Sequence, residues 1–262
     1  MVCHMPPASP LILHIPHGST EIPEAERDAF LLDDAELRRE ILRMTDMHTA
    51  DIYQVPGAER VVFPVSRLVV DPERFADDAG EIMAARGMGV LYTATSDEKP
   101  LRLPLSPDRR QQLLDAWYHP HHRRLHEAVA ARRNAFGYAV IVDCHSFPSR
   151  ALPYERRSPA EARPEICIGT DSFHTPEWMA QSLLSFFAEA GYAVARDIPF
   201  AGALVPAEFY RQDARVFSVM IELRRDLYMD EETGERIPGF SRVRADITRG
   251  IGELMSLVRE KD

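Results

Sequence analysis

The chain has 262 residues, 45% of them hydrophobic, enough for one large α/β domain or two small ones with a sizeable core. A formal charge of -10 disfavours nucleic acid or an acidic membrane surface as the principal partner and leaves room for a local basic pocket that takes a small anion. Three cysteines (Cys3, Cys144, Cys167) that cannot all pair and lack CxxC spacing, an opening MVCHMPPASP without a signal pattern, and no apolar run near the ~18 residues of a membrane span lead to the expectation of a soluble, cytoplasmic, single-domain protein over 1–262.

The first run, LILHI at 11–15, reads as a buried strand that ends in His14 and His17. Helices are expected over 24–45 and 46–54, the second stretch holding Asp46, His48 and Asp51. RVVFPV at 60–65 and RLVVD at 67–71 follow as strands, with Arg67 and Arg74 flanking Asp71. The segment 75–89 lacks periodicity and is a candidate substrate loop, and 108–134 reads as helix with Pro120 breaking its first turn. YAVIVD at 138–143 is a strand that runs into DCHSF. A second irregular segment, 147–165, precedes a strand at 165–169 and a helix at 176–190. VFSVMIEL at 216–223 brings Glu222 to a strand end beside Arg224 and Arg225. The last helix, 240–260, places Val243, Ile247, Ile251, Leu254 and Val258 on one face.

Several strands are continuously apolar, as strands covered on both faces are, and they alternate with helices. The fold class expected is α/β, a three-layer α/β/α sandwich around a mostly parallel mixed sheet. Ligands of such sheets gather beyond the carboxyl ends of the strands, where imidazole and carboxylate groups converge here. That donor set suits zinc, which in catalytic sites takes three protein ligands and leaves one position open. His17 and His145 are the best ligand candidates, and the third is Glu21 or Asp46, the latter equally able to cap a helix. A competing cluster, His119, His122 and His126, reads as a solvated helix start, with His122 able to face the site. Arg67 and Arg74 suit a carboxylate-bearing ligand, unless Arg74 only pairs with Asp71 in a turn. No G-x-S-x-G elbow, GxGxxG or Walker motif is present, and Cys144 and His145 point to opposite faces of a strand, which excludes a Cys/His pair.

In order along the chain, HIPHGS, TDMHTADIY, SRLVVDPER, DCHSF, PFAG and IELRRDLYMDE resemble the N-formylglutamate amidohydrolases, or N-formylglutamate deformylases, over about residues 11–258. That family is similar to zinc carboxypeptidases and aspartoacylases, with their phosphorylase/hydrolase-like fold. The resemblance implies Zn²⁺, or another divalent metal, on His17 and His145, with Glu222 as catalytic carboxylate; the carboxypeptidase H-x-x-E spacing is absent after His17, which leaves Asp46 or Glu21 as third ligand, with Asp46 the expectation. It implies carbonyl polarisation by Arg67 and carboxylate binding by Arg74; Arg224 or Arg225, the backbone around Gly202 and His122 are expected to help bind the substrate. The implied reaction is hydrolysis of N-formyl-L-glutamate to formate and glutamate, a step of histidine breakdown. DPER departs from the D-x-N-R of relatives by placing Glu73 beside Arg74, a change expected to weaken binding of a dianion. The alternatives are a zinc hydrolase of another N-acyl amino acid or peptide end, and a carboxylate-binding metal protein without turnover.

Overall fold

A computed structural model describes residues 8–156, 158 and 162–261, so Cys3 and part of the irregular 147–165 segment lie outside the described residues. The sheet contains β1 (Leu11–Ile15), β2 (Glu59–Val62), β3 (Ala139–Phe147), β4 (Ile166–Gly169), β5 (Val194–Arg196) and β6 (Val216–Arg224). Their spatial order is β2-β1-β3-β6-β4-β5; β4 is antiparallel to β6, and every other neighbouring pair is parallel. The helices are α1 (Glu24–Arg27), α2 (Asp34–Met44), α3 (Thr49–Ile52), α4 (Pro107–Leu113), α5 (His119–Phe136), α6 (Glu177–Glu189) and α7 (Phe240–Lys261).

Every residue of β1 and β3 is buried, because successive side chains leave the sheet on opposite faces and both faces are covered. On one face Leu11, Leu13, Val140, Val142 and Ile221 pack in the same cluster as α6 and α7. Val243, Ile247, Ile251, Leu254 and Val258 hold α7 there, each buried side chain contributing roughly 1.5–3 kcal/mol. On the other face Ile12, Val61, Ile141 and Val216 pack with Leu125, Ala128 and Val129 of α5. The expected three-layer sandwich with a mostly parallel mixed sheet is therefore the observed one.

Four local expectations differ. RLVVD does not add a strand: Ser66 Oγ accepts from Leu68 N (3.2 Å), and Arg102 donates to the Leu68 and Val69 carbonyls in place of a ladder. Leu68, Val69 and Val70 instead enter a second cluster with Phe63, Val90 and α2, because an apolar run needs burial and not a particular partner. The 24–45 helix is two, since Asp33 and Glu36 form a capping box that restarts it at α2. Pro120 does not interrupt the long helix: the π-helical turn Leu114–Tyr118 joins α4 to α5, and the proline follows that turn as the second residue of α5. β5 escaped notice because it is three residues long and without a buried residue.

Register positions the chemistry. His14 of β1 lies opposite Asp143 of β3, and His145 of β3 lies opposite Glu222 of β6. All four project from the α5 side of the sheet near its carboxyl edge, whereas Cys144 joins the α6 and α7 face.

Candidate active site

A cavity of about 350 Å³ opens at this edge, lined by His17, His145, Glu222, Arg67, Arg74 and Arg225 among others. His17 is aimed into it by a sharp exit from β1. Asp46 N–H donates to the His17 carbonyl (2.9 Å), and the approach leaves no room beside Gly18, where a Cβ would fall 2.8 Å from Thr49 Oγ1. His145 is fixed by the sheet and by Tyr53, whose hydroxyl donates to the Ile221 (2.8 Å) and His145 (3.2 Å) carbonyls.

His17 Nε2 donates to Asp71 Oδ1 (2.9 Å), while Nδ1 is buried without a hydrogen-bond partner. Burial, helped by the Arg67 charge, pushes the His17 pKa down, so this nitrogen offers a lone pair at neutral pH. Asp71 is fully buried and is held in turn by Arg67 Nη2 (2.7 Å) and the Tyr92 hydroxyl (2.6 Å). Burial opposes the Asp71 charge, but Arg67 and His17 outweigh it and keep this carboxyl well below the usual range. A carboxylate behind an imidazole is the outer support that metal-ligating histidines use.

His145 sits among three carboxylates: Nδ1 is 3.2 Å from Asp46 Oδ2, and Nε2 is 3.2 Å from Glu73 Oε1 and 3.1 Å from Asp143 Oδ1. Burial lowers its pKa, yet Glu73 and Asp143 prevail and raise it well above the ordinary value. Asp46 Oδ2 also lies 3.8 Å from His17 Nδ1, and its Oδ1 accepts from Arg225 Nη2 (2.9 Å). Glu73 Oε2 lies 3.7 Å from the same His17 nitrogen. Donor atoms of His17, Glu73 and His145 fall within 4.8 Å of one another, which makes them a group able to hold a metal ion, with Asp46 against both imidazoles. The unpartnered lone pair of His17 and the two carboxylates, Asp46 and Glu73, that face both imidazoles fit a divalent cation. A second group, His14, Glu73 and Asp143, is also close enough, but its His14 to Asp143 contact is an ordinary 2.7 Å hydrogen bond.

Glu222 is buried beside this group, and its Oε2 has no hydrogen-bond partner. Burial, opposed by the His145 charge and reinforced by that of Asp46, pushes its pKa up to about 8. A carboxyl so poised next to a metal-capable cluster is suited to proton transfer near neutral pH.

The remaining residues singled out from sequence divide. Arg67 lines the cavity while bound to Asp71 and Tyr92; Arg74 lines it with 22% of its side chain exposed and donates Nε to the Met88 carbonyl (3.2 Å). Arg225 lines it too, but its guanidinium is occupied by Asp46, Ser146 and the Arg43 carbonyl. Arg224, one position earlier on the strand, faces away and pairs with Asp226 (2.7 Å). Gly202 (φ 100°) falls just past Pro199, Phe200 and Ala201 of the wall, and His122 is turned to the Pro72 carbonyl (2.8 Å). Glu21 is exposed, while His119 and His126 lie near Asp115 (3.8 Å) and Glu208 (3.3 Å) respectively. Sequence reasoning missed Glu73 as a donor; the signal present was an acidic residue two positions after Asp71 at the end of an apolar run. It also missed Arg86, which lines the cavity and donates to the Tyr154 carbonyl, so tying the 75–89 segment to the opposite wall (2.5 Å).

Comparisons with known proteins bear on the family and the fold. The N-formylglutamate amidohydrolase family model matches residues 9–229. The chain is 28% identical over 233 residues to the N-formylglutamate deformylase of Pseudomonas aeruginosa, covering 85% of this chain and 83% of that protein. It is 29% identical over 231 residues to the deformylase of Pseudomonas putida, covering 85% and 82%. The N-formylglutamate amidohydrolase of Ralstonia eutropha JMP134 has the same fold, with a TM-score of 0.86 at 24% identity over 97% of this chain and 96% of that one. A gene product of Agrobacterium tumefaciens is similar at a TM-score of 0.67 and 20% identity, over 96% and 92%. The chain belongs to the N-formylglutamate amidohydrolase family.

Proposed function

We propose that this protein is a metal-dependent deformylase that hydrolyses N-formyl-L-glutamate to formate and L-glutamate. The observation that carries the reading is Glu222, raised to about 8 and with a free Oε2, in the same cavity as the unpartnered Nδ1 of His17. Relatives named as N-formylglutamate deformylases support the choice of substrate. His17, His145 and Asp46 would hold the cation, zinc being the first candidate, with Glu73 as a further donor. When bound, such an ion supplies Lewis acidity toward the formyl carbonyl and toward water.

The chain's own groups perform the remaining work. Glu222, in the ionised form that a neighbouring bound cation would favour, takes a proton on Oε2 from the attacking water and returns it to the departing amine nitrogen as the amide C–N bond breaks. Arg67, kept charged and oriented by Asp71 and Tyr92, stabilises negative charge that develops on the carbonyl oxygen. Arg225 orients Asp46. Arg74 is the guanidinium with fewest internal partners among these, and it binds a substrate carboxylate. A cavity of about 350 Å³ admits a small amino-acid derivative and excludes a folded protein chain.

The test is formate release from N-formyl-L-glutamate compared with N-acetyl-L-glutamate and N-formyl-L-leucine. The reading expects the first to be preferred over both. Preference for the acetyl compound would move the assignment to a different N-acyl hydrolase, and preference for the leucine compound would remove the dicarboxylate from it.

A further inference from the structure

Five arginines line the cavity, and three of them already hold a carboxylate of the protein: Arg43 on Asp97 (2.8 Å), Arg67 on Asp71 (2.7 Å) and Arg225 on Asp46 (2.9 Å). Arg74 comes no nearer than 3.9 Å to Asp71 Oδ2, an oxygen that Arg67 and Tyr92 have taken. Arg86 has no ion pair among the described residues. N-formyl-L-glutamate carries two carboxylates, and these are the two guanidinium groups left for them. We propose that Arg86 binds the side-chain carboxylate of the substrate while Arg74 holds the α-carboxylate, so that Arg86 sets the preference for a dicarboxylate. The proposal rests on the deformylase reading for the identity of the substrate.

One short stretch of backbone presents both groups. Ile82–Arg86 is a 3₁₀ turn, in which side chains three positions apart eclipse, so Met83 and Arg86 share a face and both line the cavity. The turn is held at its end: Gly87 N–H donates to the Ala84 carbonyl (2.9 Å), Met88 N–H to the Met83 carbonyl (3.0 Å) and Thr93 N–H to the Gly87 carbonyl (2.7 Å). Gly87 lies in the left-handed region (φ 69°), and a Cβ there would fall 2.7 Å from Ala94 Cβ, so glycine is what lets the turn close behind Arg86. The Met88 carbonyl accepts from Arg74 Nε (3.2 Å), which ties the second arginine to the same stretch. Arg86 Nη1 donates to the Tyr154 carbonyl (2.5 Å), its one hydrogen bond among the described residues, and Nε and Nη2 remain for a ligand. Arg74 likewise keeps Nη1 and Nη2. Each pair of nitrogens is a fork that matches the two oxygens of a carboxylate.

Position decides which carboxylate each takes. The α-carboxylate is carried by the carbon next to the amide nitrogen, so its partner stands near the reacting centre. Arg74 follows Glu73, whose Oε1 is 3.2 Å from His145 Nε2. The side-chain carboxylate lies beyond two methylenes, which call for apolar contact before the charge is met. Met83, on the same face as Arg86, and Tyr154, whose carbonyl anchors it, both line the cavity and supply that contact.

The experiment compares N-formyl-L-glutamate with N-formyl-L-glutamine, in which a neutral amide of the same shape replaces the side-chain carboxylate, on the parent protein and on Arg86→Met. The parent is expected to favour the glutamate compound in kcat/KM by about tenfold or more, the worth of a charged hydrogen bond. In Arg86→Met the ratio should fall to within ~3-fold of unity, through KM rather than kcat, with the glutamine compound little affected. Arg86→Lys, which keeps the charge but not the fork, should lower the ratio part of the way, and it decides the question if the Met variant does not fold. An equal loss on both compounds would make Arg86 a brace for the Tyr154 wall and overturn the proposal, as would an unchanged ratio. Calorimetric binding of L-glutamate and L-glutamine to the same proteins reads the site without turnover. If neither compound yields formate, yet glutamate binds more tightly than glutamine to the parent and not to Arg86→Met, the deformylase reading fails and the role of Arg86 stands. Formate release with an unchanged preference for the glutamate compound in Arg86→Met has the opposite meaning.

Discussion

Replacing Glu222 by Gln should separate catalysis from folding and metal retention. Below about pH 8 the metal-free protein holds Glu222 as a neutral carboxyl, because burial disfavours its charge. Gln has the same shape and is neutral, so the substitution introduces at most one buried unpaired donor, a cost of about 1–3 kcal/mol. It removes, however, the only function the account gives this residue. Loss of a positioned general base lowers turnover by roughly 10²–10⁴-fold, which is about 2.7–5.4 kcal/mol of activation free energy. The assay is kcat for formate release on protein whose metal content has been measured beside the parent. Less than a tenfold loss of turnover at full metal occupancy would refute the base assignment. A loss of metal in proportion to the loss of turnover would instead make Glu222 a ligand.

Other consequences follow from the same geometry. Asp71→Asn leaves the Arg67 charge, Tyr92 and His17 around a buried neutral amide, and should destabilise the fold by about 3–5 kcal/mol in urea titration; an unchanged midpoint would mean the pair is not buried as described. Metal binding at pH 7 should release protons. His145 is held well above its ordinary pKa and is charged without metal, whereas ligation needs it neutral, so affinity rises as pH approaches that raised pKa from below. Calorimetric titrations in buffers of different ionisation heat read this directly, and absence of proton release would contradict the environment of His145. Arg74→Ala should raise KM for N-formyl-L-glutamate by roughly tenfold or more, the worth of one charged hydrogen bond, with a smaller effect on an uncharged formyl amide. Equal effects on the two would remove Arg74 from carboxylate binding.

The layers and the sheet were legible in the sequence because their signals are local: continuous apolar runs for β1, β3 and β6, and a one-sided stripe for α7. The residues that lie opposite one another at the strand ends were legible too, since His17, His145 and Glu222 each follow or close such a run. The 67–71 stretch was misread because buried apolar residues look alike whether a ladder or a buried arginine, here Arg102, satisfies their backbone. Arg224 and Arg225 are adjacent in sequence, and only the turn after β6 decides which enters the cavity. Glu73 drew notice only as a departure from the pattern of relatives, because its proximity to His17 and His145 arises from the fold of a turn that has no periodicity.

The most direct test of the central claim is formate release from N-formyl-L-glutamate by protein stripped of metal and then titrated with zinc, with bound metal counted at each point. The account predicts no turnover in the stripped protein and a rise in proportion to metal bound, complete at one ion per chain. Full turnover by the metal-free protein, or none at one bound ion per chain, would contradict it.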